Sequence, residues 1–382
     1  MQKHIYLLSA SDRFNYGDVL FPIVAKHELQ KLGDFEFHNV ATISSNLLEC
    51  GAMPTLSYRA LLNYEKIPDD STLIIAGGEV LTANWSRLIS FTKEYYDFIF
   101  RKWECPRLEK IAKFLFGKNE VSFPFIPSAP ALLEKFRVVY HAVGGRGTHN
   151  LPNQQQEIVP AIKAAEYFST REPVTQKQIA NNFKIDVTLV PDSVLVLSDM
   201  SPKEQLVRPM TAEYVCVQFG FIKSEARMPA VLKELRKIHQ THNIDIGLLS
   251  IGNCPGHDDM KSVEWIKQHA DFPVVELPSD TIDQITGAIA HAKIFIGTSL
   301  HGAIVSMSYG NPFVAVHKKI HKLEAYTQQW APNYLKGNVD FANIANETNK
   351  RLKAHVGYET LLKEQKILVR QSFERIAKIA SR

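Results

Sequence analysis

The sequence predicts an α/β protein in which two doubly wound domains face each other across a cleft and a C-terminal helix packs back onto them. Short apolar runs typical of buried parallel strands alternate with stretches of helical periodicity, and most of these runs end in a loop of small residues. The alternation stops once, at residues 198–213, and then restarts. At 382 residues, the chain is long enough for two or three domains.

The first half of the chain begins as a β-α-β unit. A strand at residues 4–10 leads into a helix over 18–32, and a second strand follows at 35–40. Later strands stop at glycine loops or at a Pro-Asp pair, where we expect ligand contacts. The other elements predicted for this half are strands at 72–76, 137–143 and 186–190 and a helix over 153–165.

Residues 198–213 are polar and carry two prolines without clear periodicity, which predicts a domain boundary. Beyond it we expect a second doubly wound domain and an amphipathic helix over 358–380. The predicted strands are 214–219, 245–251, 272–277, 292–296 and 313–316, with helices in the four gaps. The predicted domains are an N-terminal domain over 1–200, a C-terminal domain over 210–335 and a helical segment over 336–382.

The composition is that of an ordinary globular protein, with 45% hydrophobic and 22% charged residues. A net charge of +4 suits anionic substrates or an anionic membrane surface, but it falls short of a nucleic-acid-binding signature, so we expect no nucleic-acid partner. The four cysteines are too scattered for a zinc site or a redox dithiol. Neither a signal peptide nor an apolar run of ~20 residues is present, which predicts a cytoplasmic protein, with the inner face of the membrane as the alternative.

Residues 295–312, FIGTSLHGAIVSMSYGNP, predict the clearest ligand site. A buried strand over 292–296 runs into Thr298 and Ser299, both good N-cap residues, and a glycine and a proline end the helix that follows. Free N–H groups at a helix N-terminus attract anions, which places His301 beside a phosphate or a carboxylate. The alternative is that Ser299 only caps the helix and His301 is a surface or core histidine.

Asn15, Gly17 and Asp18 lie between the first strand and the first helix, at the ligand end of that strand. Asp18 either orients or deprotonates a substrate hydroxyl, or caps the helix. A second loop, at Gly77 and Gly78, lets backbone approach a ligand. Neither this loop nor the glycine loop after residue 143 completes the G-x-G-x-x-G pattern, so a nicotinamide cofactor is not supported.

Three basic side chains in loops are candidate anion contacts. Arg146 and His149 follow the strand at 137–143, and Arg171 lies at a strand end just before a helix that opens with a proline. A guanidinium in that position can grip a carboxylate or phosphate with two parallel hydrogen bonds. Ordinary surface residues and a surface ion pair are the alternatives.

Three further segments carry weaker signals. Asp192 is interpreted as part of a turn at the domain edge rather than as a catalytic acid. Adjacent acids in GHDDM, residues 256–260, indicate a loop and a helix cap rather than a metal site. Residues 93–118 interleave aromatic and basic residues, which predicts a helical insertion with its aromatics packed inward; the alternative is a surface for a glycan or a membrane-bound acceptor.

In order and spacing, six motifs resemble the polysaccharide pyruvyl transferase family: Asn15-Tyr16-Gly17-Asp18, Ala76-Gly77-Gly78, Ser169-Thr170-Arg171-Glu172, Val190-Pro191-Asp192, Ser299-Leu300-His301-Gly302 and Gly310-Asn311-Pro312. The resemblance covers roughly residues 5–325. It implies a GT-B-like fold, in which two Rossmann-like domains face a cleft. It also implies transfer of a pyruvyl group from phosphoenolpyruvate to hydroxyls of a cell-surface saccharide, which can be lipid-linked, without a metal or other cofactor.

The resemblance assigns the donor to the C-terminal domain and the acceptor to the N-terminal domain. His301 would be the general acid or a phosphate ligand, because an imidazolium carries charge and releases a proton near neutral pH. Asp18 would orient or deprotonate the acceptor hydroxyl. The other expected donor-binding residues are Ser299, Leu300, Gly302, Arg171 and Lys322, and those expected to border the acceptor or the cleft are Asn15, Gly17, Gly77, Gly78, Arg146 and His149.

Two positions depart from the family pattern. Ser299 stands where many members have arginine, and Glu79 replaces the third glycine of a Gly-Gly-Gly motif. Two alternatives therefore stay open. One is a GT-B glycosyltransferase that uses a nucleotide sugar, whose diphosphate would also suit a helix N-terminus. The other is a glycan-binding protein that has lost catalysis on the same fold.

Overall fold

The structure is a computed structural model that describes residues 2–102, 106–118, 120–145 and 155–382. The first half of the chain forms a seven-stranded parallel sheet from β1 (Lys3–Leu8), β2 (Phe35–Ala41), β3 (Leu56–Ser57), β4 (Ser71–Ala76), β5 (Phe136–Val143), β6 (Tyr167–Thr170) and β7 (Thr188–Leu189). The strand order is β3-β2-β1-β4-β5-β6-β7, so the winding reverses between β1 and β4, where a doubly wound sheet opens its crevice.

Helices cover both faces of this sheet, which explains why β1 and β4 are apolar after their first two residues. The helices are α1 (Tyr16–Gln30), α2 (Trp85–Ser90), α3 (Glu94–Lys102), α4 (Pro106–Gly117), α5 (Pro130–Lys135), α6 (Gln155–Lys163), α7 (Pro173–Phe183) and α8 (Leu197–Met200). Ile5 and Leu7 pack on the side of α1, whereas Tyr6 and Leu8 pack on the opposite side, as the alternation of a strand requires.

The second half forms a five-stranded parallel sheet with the order β12-β9-β8-β13-β14 and a separate antiparallel hairpin, β10-β11. The strands are β8 (Tyr214–Gln218), β9 (Asp245–Leu248), β10 (Asn253–Cys254), β11 (His257–Asp258), β12 (Val274–Glu276), β13 (Ile294–Gly297) and β14 (Phe313–Ala315). The helices are α9 (Phe221–Ser224), α10 (Met228–His242), α11 (Asp259–His269), α12 (Ile282–Ala290), α13 (Leu300–Ser308), α14 (His321–Trp330), α15 (Ile344–Lys353) and α16 (Glu359–Ala380).

The last helix, α16, returns to the first half of the chain. It contacts α1, β1, β4 and β5, and Val369 and Phe373 on its inner face are fully buried. The hydroxyl of Ser372 lies 3.1 Å from Nδ1 of His141 and 3.0 Å from the hydroxyl of Tyr167, so the helix supplies a hydrogen-bond partner to one polar atom of each of these side chains. The predicted return of the C-terminal helix is confirmed.

The two halves are joined by more than the connecting chain. Side chains of α1 share one continuous hydrophobic core with α12 and α13. The N–H of Tyr16 donates to the carbonyl of Ile251 at 3.1 Å, its hydroxyl lies 2.7 Å from that of Thr286, and Asn15 forms an antiparallel bridge with Gly252. The start of α1 is therefore attached to the second half at the base of the cleft.

The predicted fold class, two Rossmann-like domains across a cleft with a returning C-terminal helix, is confirmed by the two parallel sheets. The domain limits at 1–200, 210–335 and 336–382 stay predictions. The sequence analysis missed β3 and the β10-β11 hairpin, because each contributes only two-residue strands. Among the described residues, no helix is both long and apolar enough to cross a membrane.

The insertion over 93–118 is helical as predicted, but its aromatics do not all pack inward. Tyr96 and Phe116 pack against the core of the first half. Tyr95 and Phe114 are 54% and 62% exposed. The helices α3 and α4 carry apolar residues on more than one face, and the core below them can cover only one face of each.

Candidate active site

A cavity of about 480 Å³ lies where the carboxyl ends of the two sheets face each other. The first half contributes the loops after β1 and β4 and the helix α2, and the second half contributes the loops after β8, β9 and β13 and the start of α14. Ligands of doubly wound sheets bind at this edge, and the volume is that of a small-molecule site. The predicted residues that line it are Asn15, Asp18, Gly78, Ser299, Leu300, His301 and Lys322.

His301 lies where the two halves of the protein meet. Ser299 caps α13 as predicted, since its hydroxyl accepts from the N–H of Gly302 at 3.3 Å, and His301 is therefore in the first helical turn. The imidazole ring packs edge-on against Phe21 of α1, with ring centroids 5.2 Å apart. Two helix ends that the sequence predicted as separate parts of the site are thus in contact.

Two predicted glycines make room for this contact. A Cβ at Gly17 would lie 1.7 Å from Nδ1 of His301, so a larger residue would displace the ring. Gly77 has φ of +62°, and a Cβ there would lie 2.2 Å from the ring of Phe21. Both glycines lie behind the cavity wall, where they permit the packing that holds His301.

The surroundings of His301 favour its neutral form. Burial, together with the charges of Arg171 and Lys322, holds the pKa of His301 well below its ordinary value. This differs from the imidazolium expected from the sequence, because these cations repel a proton from the ring. An anion bound beside the ring would act in the opposite direction. Nε2 is buried, has no hydrogen-bond partner among the described residues, and lies 3.8 Å from Oδ2 of Asp192.

Arg171 and Asp192 form a buried ion pair behind His301. Their N···O distance is 2.6 Å, and their side chains are 3% and 0% exposed. The indole N–H of Trp330 donates to the carbonyl of Arg171 at 2.8 Å, and the other oxygen of Asp192 caps the turn at Val194. The ion pair of Arg171 is therefore buried and does not lie at the surface. Arg171 is also not among the described residues that line the cavity. Asp192 was expected only as part of a turn, but its carboxylate also lies close to Arg171 and to His301.

Asp18 borders the same cavity as Ser299 but comes from the first half of the chain. It is in the first turn of α1, whose N-cap is Asn15, so the reading of Asp18 as the N-cap is wrong. The amide of Asn15 donates to Oδ2 of Asp18 at 2.8 Å. Burial raises the pKa of Asp18, and Arg13, Lys322 and this hydrogen bond oppose the rise. A carboxylate with a raised pKa is a better proton acceptor.

Four cationic side chains line the cavity together with four carboxylates: Arg13, Arg87, Lys223 and Lys322, and Asp18, Glu79, Asp258 and Asp259. Burial and the charges of Lys322, Lys223, Arg13 and Arg87 lower the pKa of His257 to about 3. Desolvation within the cleft and the charge of Lys322 lower the pKa of Lys223, whose side chain is exposed at the cavity, to about 8. Of the four cations, the sequence analysis named only Lys322. Arg13 and Lys223 follow the carboxyl ends of β1 and β8, so the strand-end rule applied to Asp18 could have found both, whereas no sequence signal marks Arg87.

Asp259, within the segment 256–260, organises the loop that joins the two halves. It is the first residue of α11, and its Oδ2 accepts from the side chain of Gln218 at 2.8 Å and from the N–H groups of Ile251 and Gly252 at 3.2 and 2.9 Å. Burial raises its pKa to about 6, although these hydrogen bonds oppose the rise. The carboxylate therefore holds the backbone that pairs with Asn15.

The remaining predicted residues differ in their placement. Leu300 is 3% exposed and belongs to the shared core. A Cβ at Gly302 would lie 2.2 Å from the ring of Phe295, so this glycine serves helix-to-sheet packing. Arg146 and His149 lie outside the described residues. Glu79, which replaces a glycine of the family motif, is exposed and lines the cavity.

Two Rossmann-like domains that face each other across a cavity define the class as a GT-B-like protein. Several solved structures share this architecture. UDP-GlcNAc 2-epimerase from Methanocaldococcus jannaschii has a TM-score of 0.61 at 13% identity, over 100% of this chain and 99% of that chain. The Neisseria meningitidis enzyme of the same name, bound to UDP-GlcNAc, has a TM-score of 0.56 at 10% identity, over 99% of each chain. At such identities the likeness shows the fold alone.

A similar likeness extends to α,α-trehalose 6-phosphate synthase from Burkholderia multivorans, with a TM-score of 0.50 at 11% identity, over 100% of this chain and 94% of that chain. No curated protein matches the sequence at a significant level. A family model does match: the chain belongs to the polysaccharide pyruvyl transferase family, whose model covers residues 121–316. The resemblance drawn from the six motifs is thereby confirmed, and family and fold together indicate an enzyme.

Proposed function

We propose that this protein transfers a pyruvyl group from phosphoenolpyruvate to two hydroxyls of a sugar, forming a ketal on a cell-surface polysaccharide or its precursor. One observation carries the proposal: His301, at the start of a helix in the second half, and Asp18, from the first half, border the same cavity. Family membership supports the same reaction. The activity would serve exopolysaccharide biosynthesis.

The donor would bind against the second half of the protein. Phosphoenolpyruvate carries a phosphate and a carboxylate, and the start of α13 with the side chains of Lys322 and Lys223 offers N–H groups and positive charge to both. Many family members have an arginine at the position of Ser299. Lys223 would supply the positive charge that this serine does not. Arg171 would act indirectly, because it holds Asp192 in place behind His301.

Bound donor would also activate His301. The negative charge of phosphoenolpyruvate raises the pKa of a neighbouring imidazole, so that the ring takes up the proton that it then delivers to the methylene carbon of the donor. Protonation leaves an oxocarbenium-like centre at the adjacent carbon. One sugar hydroxyl forms a C–O bond there, the bond to phosphate breaks, and a second hydroxyl closes the ketal. One hydroxyl proton replaces the proton given up by His301, and the other leaves with phosphate.

The acceptor would bind against the first half. Asp18 can accept a hydroxyl proton, because burial makes its carboxylate more basic and Asn15 holds one of its oxygens. Glu79, Arg87 and Phe91 extend this wall with polar groups and an aromatic ring, which suit a sugar. No residue of this scheme requires a metal or another cofactor.

A lipid-linked acceptor would account for the exposed apolar surface of α3 and α4. Its exposed members are Tyr95, Phe98, Ile99, Ile111, Phe114 and Leu115, and Lys93, Arg107 and Lys110 are exposed beside them. Both helices pack on α2, which itself contributes Arg87 to the cavity. An aromatic and basic surface beside the cavity suits an anionic membrane that carries the acceptor, and the protein would then act at the inner face of the membrane.

Calorimetric titration tests the donor. We expect heat with phosphoenolpyruvate, lost or weakened in His301→Ala, and no heat with uridine, guanosine or cytidine diphosphate sugars. Binding of one nucleotide sugar instead would assign the protein to the glycosyltransferases, an activity that the GT-B-like fold also hosts. Saccharide binding without phosphate release, and unaffected by His301→Ala, would indicate a glycan-binding protein that has lost catalysis.

Sedimentation with anionic phospholipid vesicles tests the membrane surface. We expect the double variant Ile111→Ser, Phe114→Ser to bind vesicles about tenfold more weakly than the unchanged protein, because both side chains are exposed and apolar. Val207→Ser is the matched control, since Val207 is 82% exposed and far from these helices in sequence. Equal vesicle binding by both variants would contradict this role.

A further inference from the structure

A cluster of two histidines and a glutamate lies at the amino edge of the first sheet, opposite the edge that borders the cavity. The strands β1 and β2 are parallel, with His4 paired to Glu36 and Tyr6 paired to His38. Paired and alternate residues of neighbouring strands share a face, so all four side chains project from the same face of the sheet. His4 and His38 are thus diagonal neighbours, with Glu36 beside both.

The three side chains converge on one point. Nδ1 of His4 lies 3.1 Å from Nε2 of His38, and the two oxygens of Glu36 lie 3.5 Å from the first nitrogen and 3.6 Å from the second. Ligand atoms around a tetrahedral zinc ion are about 3.3 Å apart, because each lies about 2.0–2.1 Å from the metal. Of the groups of histidine, cysteine and acidic residues in the described chain, this one has the spacing of a metal site.

The two rings are nearly coplanar, with centroids 5.4 Å apart and an interplanar angle of 12°, so their ring nitrogens face each other and a bound ion would replace the hydrogen bond between them. The two imidazoles share one hydrogen bond, and the carboxylate of Glu36 is at ion-pair distance from both rings without a hydrogen bond to either within the described chain. The rings are held in place from one side, since Tyr6 stacks on His38 with centroids 4.4 Å apart.

The site is also accessible to an ion. The side chain of Glu36 is 50% exposed, and those of His4 and His38 are 23% and 22% exposed. Two imidazoles and one carboxylate are a ligand set that suits zinc and neighbouring transition metals, with a fourth position left for solvent. Magnesium and calcium prefer sites made of oxygen ligands only.

We propose that His4, Glu36 and His38 bind one divalent transition-metal ion of the zinc type. The ion connects β1 to β2 at the edge of the sheet away from the cavity. His4 is four residues before the end of β1, so the ion lies roughly 13 Å or more from the loop that contains Asn15. The ion therefore stabilises the first half of the protein and takes no part in pyruvyl transfer.

The test is metal titration of the full-length protein after treatment with a chelator. We expect uptake of one equivalent of Co²⁺ with the visible absorption of tetrahedral coordination, displacement of that ion by Zn²⁺, and a rise in Tm of about 2–5 °C with Zn²⁺. His4→Gln and His38→Gln should each weaken metal binding by about 100-fold, and Glu36→Gln by about tenfold. His269→Gln, a change of an exposed histidine on α11, should leave it unchanged.

Uptake without tetrahedral absorption, or uptake that His4→Gln and His38→Gln leave unchanged, would overturn the proposal. Circular dichroism in the presence of chelator shows whether the histidine variants fold. If they do not, Glu36→Gln decides the outcome, because this half-exposed side chain can be changed without disturbing the core.

Discussion

The two walls of the cavity differ in the charge that they bring to a substrate. The wall from the second half combines Lys223, Lys322 and the start of α13, which favour an anion. Its two carboxylates are already engaged within that half, Asp258 by Lys261 and Asp259 by three hydrogen bonds. The wall from the first half places the carboxylates of Asp18 and Glu79 beside Arg13 and Arg87, a mixture that suits hydroxyl groups. This difference is the basis for assigning the donor to the second half and the acceptor to the first.

The same environment shifts the two central ionisable groups in opposite directions. Burial lowers the pKa of His301 and raises that of Asp18, so each is moved toward its neutral form. A bound anionic donor would favour protonation of His301. A sugar hydroxyl carries no charge, and the raised pKa of Asp18 makes its carboxylate a better acceptor for the proton of that hydroxyl. Changes on one wall should therefore affect donor binding, and changes on the other should affect acceptor chemistry.

The largest effect should come from His301→Ala. Loss of the general acid should lower kcat by about 1000-fold. The free energy of unfolding should also fall, because the ring packs against Phe21 and fills the space beside Gly17, but circular dichroism should show a folded protein. Steady-state phosphate release measures kcat, and His269→Ala is the control on an exposed histidine. Turnover close to that of the unchanged protein would exclude His301 as the acid.

A large loss of stability should follow Asp192→Asn. The change leaves the guanidinium of Arg171 buried without its carboxylate, which should lower the free energy of unfolding by about 3 kcal/mol. Arg171→Ala should have a similar cost because it leaves Asp192 unpaired. Urea unfolding measures both. If Arg171→Ala instead raised the donor KM without destabilising the protein, Arg171 would be a direct donor ligand, as the sequence suggested.

The effect of Asp18→Asn should separate the two walls. We expect kcat to fall by about 100-fold, because the acceptor hydroxyl would lose the base that takes its proton. The calorimetric affinity for phosphoenolpyruvate should stay within about twofold, because Asp18 does not bind the donor in this proposal. Asn63→Asp, in a loop outside the cavity lining, is a control for charge change. A parallel loss of donor affinity would mean that Asp18 belongs to the donor site.

A smaller, pH-dependent effect should come from Lys223→Met. The pKa of Lys223 is lowered to about 8, so its positive charge is present below that pH and is lost as pH rises through it. The unchanged protein should therefore bind phosphoenolpyruvate more weakly above about pH 8. Lys223→Met should raise the donor KM by about tenfold at pH 7 and remove this limb of the profile of kcat/KM against pH. If Lys223→Met still showed the fall in kcat/KM above about pH 8, a group other than Lys223 would cause it.

The smallest effect should come from Ser299→Ala. Its hydroxyl caps α13, so the free energy of unfolding should fall by about 1 kcal/mol. Thr281→Ala, at the cap of α12, is a matched control because its side chain also accepts from a helix N–H. Equal stability loss in both variants with lower donor affinity only in Ser299→Ala would show that Ser299 also contacts the donor.

The sequence by itself determined the local structure of this protein. Alternating apolar runs and helical periodicity depend on neighbouring residues, so the β-α alternation, the cap at Ser299 and the helix start beside His301 could be predicted. Strand ends in a parallel sheet share one edge, which is why Asp18 and His301 could be assigned to one site. The six motifs also identified the family correctly.

Only the tertiary structure decided how distant segments pair. The contact of His301 with Gly17, the ion pair of Arg171 with Asp192 and the position of Lys223 depend on how two sheets pack together, which no local pattern encodes. The cluster of His4, Glu36 and His38 depends on strand register, because a shift of one residue between β1 and β2 would turn Glu36 and His38 to the opposite face. Packing and register thus set the charges and distances on which the proposed chemistry depends.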